Sequence, residues 1–354
     1  MNMKINNYEI GEGKPVFFIA DVAANHDGDL GRAKDLIWRA AEAGADCAKF
    51  QHFTADTIVS DFGFKNLGNQ QSHQKSWTKS VYDVYQDASL NQDWTMELKN
   101  TCDEAGIVFM TSPYSKDLVD YVDEFVSAYK IGSGDVTWLE IIDHIAGKGK
   151  PVLIATGAST QSDVDRAMNI LMKRNIPLVL MQCNTNYTGL LENFKYINLN
   201  VLKTYSQIYP EVILGLSDHT PGCATVLGSV ALGAKVIEKH FTDSCERAGP
   251  DHTFSMDPKS WAEMVERSRE LEFSLGDVVK KVEDNEKETV VLQRRAIRAK
   301  NDLQVGVSIT RDMIEVLRPC PKNALPPYRI DEILGKTLIN HIVSGECVTW
   351  EDLK

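Results

Sequence analysis

Eight short apolar runs rich in β-branched residues punctuate the first 275 residues, each followed by a polar or glycine-containing turn and then a stretch of helical periodicity. The runs are VFFIADVA (16–23), DCAKFQ (46–51), IVFMTSP (107–113), AYKIGS (128–133), PVLIATG (151–157), PLVLMQC (177–183), VILGLSDH (212–219) and AKVIEKHF (234–241). Between them lie patterns such as LGRAKDLIWRAAEAG and TMELKNTCDEAG, whose apolar residues recur at three and four and which end in glycine. That spacing is the mark of an amphipathic helix closed by a C-terminal glycine. Strands that alternate with helices pair in parallel, so this rhythm predicts an α/β chain of βα units. Eight units point to a closed (β/α)8 TIM barrel; an open doubly wound sheet stays possible, because periodicity does not encode closure.

Nearly every run carries its polar residues at its C-terminal end: Asp21, then Lys49 and Gln51, Thr111 and Ser112, Lys130 and Ser133, Thr156, Gln182 and Asn184, Ser217 to His219, Glu238 and His240. One polar residue after a strand is usually a turn former. Eight such ends converging on one face of a barrel are a candidate active site. His219 and His240 end neighbouring runs, and two imidazoles with open positions suit a divalent transition metal. By strand alternation Glu238 shares a face with His240, while Lys239 faces the other way and is expected to be structural. Lys49 and Lys130 point into the barrel mouth if Cys47 and Ala128 point inward; buried lysines need either an internal carboxylate or a bound anion. With Thr111, Ser133 and Ser217 nearby, a phosphate together with a carboxylate is the expected occupant.

The chain has 38 basic and 50 acidic residues, a net charge of −12, which argues against a nucleic-acid surface. The start, MNMKINNYEIGEGKP, has no apolar signal core, and no stretch reaches the roughly 20 apolar residues that span a bilayer. A cytoplasmic location without membrane contact is expected. Seven cysteines without paired short spacing fit reduced thiols.

Six ordered motifs, AKFQ (48–51), YKIGSGD (129–135), ATGAS (155–159), SDHT (217–220), VIEKHF (236–241) and GPDH (249–252), closely resemble the sialic acid (N-acetylneuraminate) synthase family, which includes legionaminic and pseudaminic acid synthases. The resemblance implies an enzyme that condenses phosphoenolpyruvate with an N-acylated amino-hexose, N-acetylmannosamine or a 2,4-diacetamido hexose, to a nine-carbon 2-keto acid and phosphate. It implies a divalent metal, Mn2+ or Mg2+ and possibly Co2+, on His219 and His240. Lys49, Thr111, Lys130, Ser133 and Ser217 would hold phosphoenolpyruvate, and Asp21, Asn184, Tyr187 and Asp251 would face the sugar; Asp21, Glu238 and His240 are the catalytic candidates. One departure stands out: the family's IAEIG reads IADVA here, so a catalytic glutamate becomes Asp21, withdrawn by about 1.5 Å. Asn25 and His26 keep the family's pattern, with His26 expected to support the site rather than bind metal.

After the second run, some forty residues precede the next helix, far more than the usual connection of about 2–6 residues. Trp77, Tyr82, Tyr85 and Trp94 in this candidate lid either stack on a sugar or pack on the barrel, with packing favoured; His73 and Lys75 are candidates for sugar-phosphate steering. The barrel is expected over 1–279, a linker over 280–291, and a small domain over 292–354 that resembles the family's antifreeze-like SAF domain of β-clip type. In the family that domain crosses to the other subunit of a homodimer, a domain-swapped arrangement, and an arginine matching Arg318 reaches the sugar's acyl group. The CPK that follows the family's arginine position departs from a Gly-rich loop. Two rivals are carried forward: another phosphoenolpyruvate-condensing barrel, and a catalytically impaired family member that binds without turning over.

Overall fold

The computed structural model describes residues 2–67, 74 and 77–354. All eight runs form strands, and they close into a parallel barrel: β3 (Phe17–Asp21), β4 (Cys47–His52), β5 (Val108–Pro113), β6 (Tyr129–Ile131), β7 (Val152–Ala155), β8 (Leu178–Cys183), β9 (Ile213–Asp218) and β10 (Val236–His240), with β10 returning to pair with β3. Closure removes both sheet edges, so every strand is hydrogen-bonded on two sides and buried on two faces. That burial is why the strands read as unbroken apolar runs.

Alternation divides the core in two. Inward residues Phe17, Ile19, Cys47, Val108, Met110, Ala128, Val179 and Val236 form one cluster inside the barrel. Outward residues such as Phe18, Ala20, Phe50, Phe109 and Ile237 pack against the surrounding helices, among them Leu36, Ile37 and Ala40 of helix Leu30–Glu42 and Trp261 of helix Pro258–Leu275. Each such large apolar side chain stabilises the fold by roughly 1.5–3 kcal/mol through burial. Gly215 is needed where β9 meets β10, since a Cβ there would lie 2.9 Å from the Val236 carbonyl oxygen.

An antiparallel hairpin that sequence periodicity did not reveal, β1 (Asn2–Ile5) and β2 (Tyr8–Gly11), precedes the barrel. Its Met3, Ile5 and Ile10 join the inner cluster with the first residues of the barrel strands. The hairpin therefore stops the end of the barrel away from the polar strand ends.

The chain divides into two compact units, Met1–Gly276 and Asp277–Lys354. The second holds a short antiparallel pair, β11 (Ala296–Ala299) and β12 (Ile314–Leu317), around Ile297, Ile309, Ile314, Leu325, Ile333, Leu338, Ile342 and Val348. All seven cysteines are free thiols. Among the described residues no helix is long and apolar enough to cross a membrane.

Candidate active site

The C-terminal strand ends surround a cavity of about 340 Å³. At its floor two lysines and two carboxylates form a buried charge cluster. Lys49 Nζ lies 2.7 Å from Asp21 Oδ2 and 3.4 Å from Glu238 Oε2, and Lys130 Nζ lies 3.3 Å from Glu238 Oε1. All four side chains are at least 95 % buried. Strand register explains the grouping, because Asp21 pairs with Lys49 across β3 and β4, and Glu238 pairs with Ser217 across β10 and β9. Ser217 Oγ donates to Glu238 Oε1 at 3.0 Å.

Burial opposes ionisation of Glu238, but Lys130 and Lys49 outweigh it and hold its pKa down to about 2. Glu238 is thus a fixed negative charge. For Asp21 burial wins, and its pKa is raised although Lys49 pulls it the other way. Burial likewise lowers the Lys130 pKa, with Glu238 resisting, whereas the carboxylates overcome burial at Lys49 and raise its pKa. The inward parity anticipated for both lysines holds, since Cys47 and Ala128 are in the inner cluster.

On the adjoining wall His219 and His240 sit with ring centroids 5.3 Å apart. Burial, followed for His219 by its neighbour His240, pushes both pKa values down to about 3, so both rings are neutral, the form that ligates metals. His219 donates Nδ1–H to the Asn184 carbonyl at 3.0 Å, which leaves Nε2 as its lone-pair nitrogen. Among the described residues His240 Nδ1 is buried without a hydrogen-bond partner, and its Nε2 lies 3.7 Å from Asp21 Oδ2. Among the described residues no cluster of three or more His, Cys, Asp or Glu could hold a metal ion. Two imidazoles alone do not make a closed structural metal site, and an ion held by them would need substrate or water as further ligands. Tyr187 packs its ring 4.4 Å from His219, and Phe254 stands 5.0 Å from His240.

Opposite the lysines, Asp251 Oδ2 accepts from the Ala24 amide at 3.1 Å, and burial raises its pKa to about 7. The neighbouring Ala23 amide donates to Asp21 Oδ1 at 3.1 Å. Gln51 Nε2 reaches Asp21 Oδ2 at 3.3 Å.

Of the residues expected at the site, Asp21, Lys49, Lys130, Ser133, Tyr187, Ser217, His219, Glu238, His240 and Asp251 all line this cavity. Ser133 Oγ accepts from the Gly157 amide at 2.9 Å. Thr111 does not line it: its Oγ1 is 2.7 Å from His52 Nδ1 and donates to the Phe50 carbonyl at 3.1 Å, on the outward face of β5. Ser112, one residue on, has the inward parity of Met110, and among the described residues its buried Oγ has no partner. Like Thr111, Ser112 is absent from the cavity lining. Asn184 contributes its carbonyl to His219, while its side chain turns to the Tyr196 carbonyl at 3.3 Å. Arg318 is an exposed residue of the second unit, just after β12. His26 is buried edge-on to Trp94, at 6.1 Å, and lies off the cavity.

Trp77 and Tyr85 of the long connection line the cavity, along with Tyr114, which lies outside the quoted motifs, and Asp135, the last residue of YKIGSGD. Tyr82 instead donates to Asp56, and Trp94 packs on the barrel. His73 and Lys75 lie outside the described residues. Lys239 is structural as expected: it pairs with Asp218 at 2.5 Å on the outer face, where Thr220 and Thr225 also donate to the carboxylate.

The NeuB family model matches residues 36–280 and the SAF domain model residues 294–354. The chain is 32 % identical over 360 residues to the N,N'-diacetyllegionaminic acid synthase of Legionella pneumophila, covering 100 % of this chain and 99 % of the relative. It is also 32 % identical to the human N-acetylneuraminate-9-phosphate synthase, with 97 % and 94 % covered. Among solved structures, the N-acetylneuraminic acid synthetase of Leptospira borgpetersenii serovar Hardjo-bovis, in complex with citrate, superposes with a TM-score of 0.71 at 27 % identity, covering 82 % of this chain and 95 % of that one. With a family model over most of its length and full-length relatives that are synthases, this barrel with a C-terminal SAF domain belongs to the NeuB family of sialic, legionaminic and pseudaminic acid synthases.

Proposed function

We propose that the cavity joins phosphoenolpyruvate to C1 of an N-acylated amino-hexose, N-acetylmannosamine or a 2,4-diacetamido hexose, giving a nine-carbon 2-keto acid and inorganic phosphate. The observation that carries the reading is the pairing, in one cavity, of two buried lysines with two neutral histidines. Lys49 and Lys130 would take the charges of phosphoenolpyruvate, with Ser217, Ser133 and the Ser112 hydroxyl, which has no partner among the described residues, as donors. Resemblance would add Thr111 to this set, but its hydroxyl is engaged by His52 and the Phe50 carbonyl, so it is left out of the reading. His219 and His240 would hold a divalent ion, Mn2+ or Mg2+, which supplies Lewis-acid polarisation of the sugar's aldehyde when bound.

C3 of phosphoenolpyruvate then bonds to C1 of the open-chain sugar, water adds to C2, and the C–O bond to phosphate breaks. Glu238, held ionised, keeps both lysines oriented on the anion and stands beside His240 to support it. Asp251, with a pKa near neutrality, exchanges the proton of the sugar's C1 oxygen, and Asp21 orients the same end of the sugar. The assembly proposed with this chemistry is a domain-swapped homodimer in the cytoplasm, with Arg318 serving the acyl group in the partner's barrel.

The test is product mass spectrometry after incubation with phosphoenolpyruvate, Mn2+ and each sugar of an N-acetylmannosamine and 2,4-diacetamido hexose panel. A nine-carbon keto acid from one sugar, absent in His219→Ala and His240→Ala, is the expected result. Turnover that survives both substitutions overturns the metal assignment.

A further inference from the structure

The two carboxylates on the sugar side of the cavity are held by consecutive amides of one turn, Ala23 on Asp21 and Ala24 on Asp251, each at 3.1 Å. Ala23 has a φ of 44°, which an alanine adopts only when its surroundings hold it there. What holds it is a set of contacts between the loop after β3 and the loop after β10. Asp27 Oδ1 meets His252 Nε2 at 3.0 Å, and the other His252 nitrogen meets Thr242 Oγ1 at 2.7 Å. Arg32 reaches Asp27 Oδ2 at 3.0 Å, donates to the Asn25 carbonyl at 2.7 Å, and grips Asp243 with two bonds of 2.7 Å. His252 is wholly buried, directly after Asp251 in the chain, and Gly249 makes room for it: a Cβ there would lie 2.6 Å from His252 Cδ2.

Neither Asp27 nor His252 lines the inner cavity. Their contact is nevertheless linked to both carboxylates, through the Ala23 and Ala24 amides and the 251–252 step. We propose that the Asp27–His252 pair is a positioning device that sets the separation of the two carboxylates for the acceptor sugar, leaving the anion cradle of Lys49, Lys130 and Ser217 untouched. This rests on the condensation reading above. The cradle side chains bond to strand residues and to one another, and none bonds to the 22–29 or 242–252 loops except through Asp21.

Two substitutions test it in the full chain with Mn2+. His252→Leu removes both ring contacts. Asp27→Asn removes the charge yet tolerates the φ of 51° at that position, which asparagine adopts readily. Each is expected to lower kcat/KM for the sugar by about tenfold or more, the scale of a small misplacement, while KM for phosphoenolpyruvate stays within about twofold. Amide exchange at Ala23 and Ala24 should accelerate in both, and His252→Gln, which keeps a donor toward Asp27, should recover part of the sugar term. If His252→Leu does not fold, Asp27→Asn decides alone. Unchanged exchange, or a loss shared equally between the two substrates, overturns the proposal. Accelerated exchange in a protein whose wild type condenses no sugar would instead sink the condensation reading and leave the clamp standing.

Discussion

Asp251 offers a test that needs no substrate. Burial raises its pKa to about 7 against the Ala24 amide that favours the ionised form, whereas an unfolded aspartate titrates near 3.9. The folded state therefore binds the proton more tightly. Stability is highest below the unfolded value and falls as pH rises from about 4 through about 7, because ν_N exceeds ν_U in that window. Three pKa units at 1.36 kcal/mol each set a ceiling of about 4 kcal/mol. Since the side chain opens on the cavity and is only half-buried, about 1–3 kcal/mol is the expected effect. Asp251→Asn keeps an oxygen for the Ala24 amide and loses the charge. Urea unfolding of the chelator-treated protein between pH 4.5 and 8.5 should show the variant more stable than wild type at pH 8, with the difference closing toward pH 4.5. Parallel curves, or a variant less stable at pH 8, would refute the reasoning.

The neighbouring pair on β5 separates structure from site. Thr111→Val strips a hydroxyl from buried His52 and should cost about 1–2 kcal/mol in urea unfolding with KM for phosphoenolpyruvate unchanged, whereas Ser112→Ala should leave stability intact and raise that KM about tenfold. Lys239→Met leaves the Asp218 carboxylate buried without its cation and should destabilise by about 3–5 kcal/mol; a loss under about 1 kcal/mol would mean that Thr220 and Thr225 suffice. His219→Ala and His240→Ala should each abolish tight Mn2+ binding in calorimetry while the barrel still folds, since these neutral rings sit at the cavity wall rather than in an apolar cluster.

The eight strands were legible because a parallel barrel buries both faces of each one, so VFFIAD and VIEKHF announce themselves without any partner in view. Alternation then placed Lys49, Lys130, Glu238 and His240 correctly at the mouth. The same rule, applied from Met110, turns Ser112 inward and Thr111 outward, and neither lines the cavity. The β1–β2 hairpin stayed hidden, since four-residue strands with charged and polar outer residues carry little periodic signal. Contacts such as Asp27 with His252 lie between irregular loops far apart in sequence, where no period exists to read. Sequence presents Asn184 as an amide side chain, whereas its backbone carbonyl is the group that His219 bonds to. Asp21 was legible as a shortened carboxylate, but not that its oxygens are shared among Lys49, Gln51 and the Ala23 amide.

The most direct measurement is phosphate release from phosphoenolpyruvate by the wild-type protein, followed with and without amino-hexose and with and without Mn2+, and compared mole for mole with the keto acid formed. The account predicts release only when sugar and ion are both present, one phosphate per nine-carbon product. Release that is independent of the sugar, or a complete absence of release across the panel with Mn2+ bound, would contradict it.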